Sequence, residues 1–298
     1  MKPIRSTSLS NTSALSKYWD RRKGVTDVDV IERFKFFKFN LIEFGNWINQ
    51  ELRTSSCIDI LKGCEDVLRP LLKSRNLGFD NSINIAIGSR GKKGSLAYFS
   101  PSTMFLSFKK YSDEKTLSLN GVSSFAHEYF HSLDYLIGRY IEPNKKVNYL
   151  SETWDNLEIN TPIRRALSDL LMVYYEEQFK RNNNFLNGVQ NKSYWQSPKE
   201  CFARISEQCV SLFAESAGIK QNITRPLSYY KKITSVYMPK DVMYIVYPYW
   251  IEVVKLFSMV LRGKTVEVKE ENTKSKQGAS FAKGTPNSKK KTTKTKKK

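Results

Sequence analysis

The stretch "SSFAHEYFHSLDY", Ser123 to Tyr135, holds both histidines of a 298-residue chain, His127 and His131, four positions apart with Glu128 directly after the first. On a helix, positions i and i+4 return to nearly the same face, so both imidazoles can be aimed at one ion. Glu128, one position round, can reach a water beside that ion, take its proton and hand it on. The spacing therefore predicts a Zn2+ site on a helix, with Glu128 as general base and acid. The competing expectation is a pair of imidazoles packed against Phe125, Phe130 and Leu133, with Glu128 paired to a lysine.

A catalytic zinc commonly takes three protein ligands, and with only two histidines a carboxylate must complete the set. Asp134 lies on roughly the same helical face. Its short side chain suits it better to accept a hydrogen bond from a ligand imidazole and fix its tautomer. Glu200, in "SPKECFAR", begins a separate helix; its alternative role is an i,i+4 ion pair with Arg204. Glu207, two turns further along that face, is the weaker substitute. Spacing alone leaves the third ligand open between Glu200 and Asp134. A phenol to stabilise an oxyanion is expected from "YIVYPYW", which offers Tyr244, Tyr247 and Tyr249.

Working outward, the pattern from Asp27 to Lys73 is mostly helical with a break at Gly45, although "FKFFKFNLIEF" alternates in part and fits a strand as well. "SINIAIGS", "GSLAYFS" and "TMFLSF" read as three short strands. "GSRGKKG" lacks the spacing of a phosphate-binding loop and leads into a strand, so it reads as a hairpin loop. Ser118 or Asn120 would cap the motif helix, which should run to about Tyr140. Helical patterns follow in "IRRALSDLLMVYYEEQFKR", in "SPKECFARISEQCVSLFAES" opened by Ser197 and Pro198, and in "YIVYPYWIEVVKLFSMVLRG". The order predicts an α+β domain over residues 27–263, with a small β-sheet packed on a mostly helical body. A polar, flexible arm (1–26) precedes it.

The formal charge of +20 is unevenly spread: residues 264–298 carry twelve lysines against three glutamates. That nearly apolar-free tail cannot offset its ordering entropy by burial and is expected to be disordered. It would attract nucleic acid or an anionic surface, which supports a second function class, a nucleic-acid-associated accessory protein whose zinc site is structural or inactive. Cys57, Cys64, Cys201 and Cys209 form no C-x-x-C pair and suit buried helix positions. With no signal-like apolar run at the N-terminus, a cytoplasmic setting is expected. The segment Val242–Leu261 is interrupted by Pro248, Glu252 and Lys255, which fits a packed helix better than a membrane span.

Four segments in order, "FKFFKFNLIEFGNWINQELR", "IAIGSRGKKGSLAYFSPSTMFLSF", "SSFAHEYFHSLDY" and "YWQSPKECFAR", resemble the large polyvalent protein-associated domain of type 1 found in phages and mobile elements, over about Val30 to Gly263. The resemblance implies a zincin-like metallopeptidase of a bacterial host cytoplasm, acting on a protein or peptide. "HEYFHSLD" with the later "PKECFARISEQ" is also similar to Mlc-titration-factor-like peptidases, where a helix-borne glutamate completes the zinc site. This favours the gluzincin-like set His127, His131 and Glu200. The bulky Tyr129 and Phe130 depart from the small residue often found before the second histidine.

Overall fold

The segment that reads both as helix and as strand is both. Helix α1 (Thr26–Phe36) ends at a turn where Lys38 takes a left-handed φ of 59°, and the chain continues as strand β1 (Leu41–Phe44). The computed structural model describes residues 26–44, 50–88, 97–100, 103–106, 122–142, 149–155 and 161–263. The expected arm up to residue 25, the loop from Ser89, the cap candidates Ser118 and Asn120 and the Lys-rich tail lie outside the described residues.

Helix α2 (Gln50–Gly63) passes through a π-helical turn (Cys64–Leu68) into α3 (Arg69–Leu72). Pro70 explains the widened turn: it has no N–H to give the Asp66 carbonyl, and its ring crowds that oxygen. Strands β2 (Asn84–Ile87), β3 (Ala97–Ser100) and β4 (Thr103–Leu106) follow. The sheet order is β1-β2-β4-β3, with β1, β2 and β4 parallel and β3 antiparallel at one edge, Phe99 opposite Met104. β2 is buried along its whole length, as a central strand covered on both faces must be. A buried ladder pins the register: Asn40 donates to Asn84 at 2.8 Å, and Asn84 to Thr103 at 3.2 Å.

A 3-10 turn (Val122–Ser124) leads into helix α4 (Phe125–Ile141), which carries HEYFH and lies between the β3–β4 hairpin and α7 (Pro198–Ser216). The bulky pair is accommodated by an aromatic core: the Phe130 ring lies 6.2 Å from Phe202 and 5.8 Å from Trp250, and Tyr129 stacks on Phe125 at 5.9 Å. Helix α5 (Pro162–Arg181) is capped by Thr161, whose side chain accepts from the Arg164 amide. The short α6 (Lys192–Gln196) and α8 (Leu227–Tyr230) flank α7 in sequence, and α9 (Lys240–Leu261) packs along α5.

By length and composition α9 is the one helix among the described residues apolar enough to cross a membrane. Its Val246, Trp250, Val253 and Phe257 are buried in the core, and Tyr244 and Tyr249 face outward. All four cysteines are free and buried. The architecture is α+β, mostly helical, with a small four-stranded mixed sheet.

Candidate metal centre

Three elements build the site. Helix α4 supplies His127, Glu128 and His131 on one face, as the i,i+4 spacing requires. Helix α7 begins at Pro198, whose missing N–H and fixed φ suit a first turn, and this places Glu200 in that turn. Glu200 Oε2 lies 3.6 Å from His127 Nε2, and its Oε1 lies 3.5 Å from His131 Nε2. One ligand atom from each of the three residues can be chosen so that all lie within 4.8 Å of one another. Zinc bonds of about 2.0–2.1 Å at tetrahedral angles separate ligand atoms by about 3.3 Å, so the two carboxylate–imidazole contacts come near that spacing and the full donor set is somewhat wider than it. Arg204 is a more distant partner of Glu200, at 3.8 Å, so the carboxylate is shared with the imidazoles rather than reserved for the i,i+4 pair.

The second nitrogen of His127 is also engaged. Its Nδ1 lies 3.3 Å from Glu207 Oε2, and Glu207 accepts hydrogen bonds from Tyr230 at 2.9 Å and Tyr237 at 3.3 Å. A carboxylate on Nδ1 fixes the tautomer that presents Nε2, a common support for a metal ligand. Asp134 was the residue expected to do this. Its oxygens are instead taken up by Ser151, from the backbone amide at 2.9 Å and the hydroxyl at 2.5 Å. An aspartate is too short to serve a ring three residues away on its own helix when a neighbouring turn offers two donors. The His131 Nδ1 is buried with no hydrogen-bond partner among the described residues.

Glu128 is 4% exposed and one of its carboxylate oxygens has no partner among the described residues. The Phe99 amide of edge strand β3 donates to this carboxylate. Burial first, then the neighbouring Glu200 and Glu207 against the opposing pull of His127, push its pKa up to about 8. Burial opposes charge on His127, but Glu200, Glu207 and Glu128 outweigh it and raise that ring to about 10. Burial would favour neutral Glu200; the two imidazoles outweigh it and hold its carboxyl well below the usual range. His131 is lowered, chiefly by burial. Glu200 and Glu207 thus bring two carboxylates to the two imidazoles.

Two tyrosines outside the expected segment border the site. Tyr149 packs its ring 5.9 Å from that of His131, held there by Lys199, which lies 4.9 Å above the Tyr149 ring and pairs with Glu152 at 2.8 Å. The Tyr194 phenol hydrogen-bonds Glu200; burial first, then that carboxylate, raises its pKa. Arg204 brings this segment in: it sits 4.9 Å from the Trp195 ring and donates to the Trp195 carbonyl. Of the tyrosines expected from "YIVYPYW", Tyr244 and Tyr249 are exposed and Tyr247 packs on Trp250. No spacing rule announces Tyr149 or Tyr194. Glu207 had a signal, its seven-residue repeat of Glu200 along one helix face. Comparison with known proteins finds no matching family model, no matching curated protein and no matching solved structure.

Proposed function

We propose that this chain is a zinc-dependent metallopeptidase with a zincin-like fold, of the type its resemblance to the large polyvalent protein-associated domain implies. The observation that carries the reading is the convergence of His127 Nε2, His131 Nε2 and Glu200 at 3.5–3.6 Å beside the buried, half-satisfied carboxyl of Glu128. His127, His131 and Glu200 would hold the ion. Bound there, zinc supplies Lewis-acid chemistry toward water and a carbonyl oxygen. Glu128, buried beside the ligands, would take the proton from the attacking water as the carboxylate. It delivers that proton to the leaving nitrogen as the C–N bond breaks, so water adds its hydroxyl to carbon and its hydrogen to nitrogen. Tyr149 and Tyr194 border the ligands and supply the phenols that steady a developing oxyanion.

Edge strand β3 supports an extended peptide as the substrate. Among the described residues it pairs with β4 on one side only, and its Phe99 amide donates to Glu128. A peptide added as a strand along that edge passes the general base with its backbone aligned by main-chain hydrogen bonds.

The test is metal content by mass spectrometry on protein purified without added zinc, joined to hydrolysis of an unfolded protein such as casein. About one zinc per chain is expected, lost in Glu200→Ala and in His127→Ala/His131→Ala. Glu128→Gln should keep the zinc and lose activity by roughly 10²–10⁴-fold. A wild-type chain that takes up no zinc even on reconstitution, or a Glu128→Gln variant as active as wild type, would sink the reading.

A further inference from the structure

A cleft of about 670 Å³ is lined by five cations, Lys38, Arg69, Lys73, Arg75 and Arg262, and by no carboxylate. It shares no residue with the metal centre and is built by three segments that meet. Gly78 carries the crossing of the first two: a Cβ there would lie 1.9 Å from the Lys38 carbonyl oxygen, and its amide donates to Phe37 at 2.8 Å. Ser74 and Asn76 donate to the Leu261 carbonyl, at 3.4 and 3.2 Å, and so fix the following Arg262 beside the turn that carries Lys73 and Arg75.

Two of the cations have acidic partners, Lys38 with Asp80 at 2.9 Å and Arg69 with Glu65 at 2.7 Å. Lys73, Arg75 and Arg262 have no carboxylate partner among the described residues. An ordinary solvated surface intersperses acids among its bases, whereas like charges gathered in one open depression repel one another and raise a positive potential there. We infer that this cleft binds the phosphodiester backbone of a nucleic acid.

Three features favour that partner. Guanidinium groups match phosphate oxygens with paired donors. The Arg75 guanidinium lies 5.2 Å from the ring of Phe36, which is 44% exposed and stands just outside the cleft, and an exposed aromatic beside a cation is what an unpaired base stacks on. The Lys-rich segment 264–298 follows Arg262 and Gly263 directly in sequence and adds twelve lysines, an amount of charge that suits a polymer rather than a single phosphate.

The experiment is fluorescence anisotropy of the full-length chain with a labelled single strand of about 20 nucleotides across a salt series. Wild type should bind, and weaken as salt rises. The triple variant Lys73→Glu/Arg75→Glu/Arg262→Glu should lose roughly tenfold or more in affinity, with a salt slope smaller by about two. Its melting temperature should not fall, because the reversal relieves repulsion. Should it fail to fold, Lys73→Gln/Arg75→Gln is expected to weaken binding roughly threefold or more. A full-length chain in which the seven lysines of Lys289–Lys298 are glutamine should bind more weakly and still respond to the triple change. The inference is overturned if wild type binds no strand, or if the charge-altered cleft binds as tightly as wild type. Equal loss of binding to phosphatidylserine vesicles in the triple variant would overturn the choice of nucleic acid.

Discussion

The two halves of the HEYFH helix both bury carboxylates, and they treat them differently. Towards the C-terminal end, Asp134 is met by both donors of Ser151, and Glu142 receives two hydrogen bonds from Arg164, at 2.5 and 2.7 Å. Arg164 also donates to the Thr153 carbonyl and hydroxyl, each at 2.6 Å. Towards the N-terminal end, one oxygen of Glu128, one nitrogen of His131 and Nε of the nearby Arg204 are buried with no hydrogen-bond partner among the described residues. A buried polar atom without a partner costs about 1–3 kcal/mol, a cost that the C-terminal half of the helix avoids and the N-terminal half carries among the described residues. If the proposed function holds, the closed half is scaffold and the open half carries the chemistry.

Arg164 gives the sharpest way to break that division. Replacing it by Met leaves Glu142 buried without its counter-charge, and removing one partner of such a pair typically costs about 3–5 kcal/mol. Urea denaturation of Arg164→Met should show a loss of that size, while the chains that remain folded should still take up about one zinc each. A variant that loses zinc but not stability would mean that the far half of the helix belongs to the site.

Glu207 tests the open half from behind. Glu207→Gln keeps the shape but removes the charge that orients His127 through Nδ1, and such a change typically weakens metal binding about 10–100-fold. Competition with a coloured chelator should read this directly, with melting in excess chelator little changed. Unaltered affinity would make Glu207 a buried acid serving only Tyr230 and Tyr237.

Much of this division is legible in the sequence, for physical reasons that differ by residue. His127, Glu128 and His131 sit on one helix, where a fixed 3.6-residue period converts spacing into geometry. Glu200 lies on another helix, and its place needed the resemblance as well as its position after Ser197 and Pro198. β2, β3 and β4 follow from alternation, whereas β1 is hidden because one apolar run serves as the end of a helix and then as a strand, separated by the left-handed Lys38. Tyr149 and Tyr194 reach the site through Lys199 and Arg204, side-chain contacts that no local pattern encodes. Asp134 misleads because face membership is a statement about one helix alone, and the donors of Ser151 come from outside it.

Asp134 therefore gives the finest test. Burial, only partly countered by the Ser151 hydrogen bonds, raises its pKa from the ordinary aspartate range to about 7. In the unfolded chain it titrates near 4, so between about pH 4 and 7 the folded chain holds a proton that the unfolded chain has released. That contribution to stability is complete below pH 4 and is lost as pH rises through 7. Asparagine accepts from the Ser151 amide and donates to its hydroxyl, with no charge to desolvate. Relative to its difference from wild type at pH 5, Asp134→Asn should consequently gain about 2–3 kcal/mol by pH 8. Thermal melts in excess chelator, which keep metal-linked stability out of the comparison, measure this. Parallel pH curves for the two proteins would refute the raised pKa. A fall in zinc affinity in Asp134→Asn to match that of Glu207→Gln would return Asp134 to the metal centre and erase the boundary between the two halves of the helix.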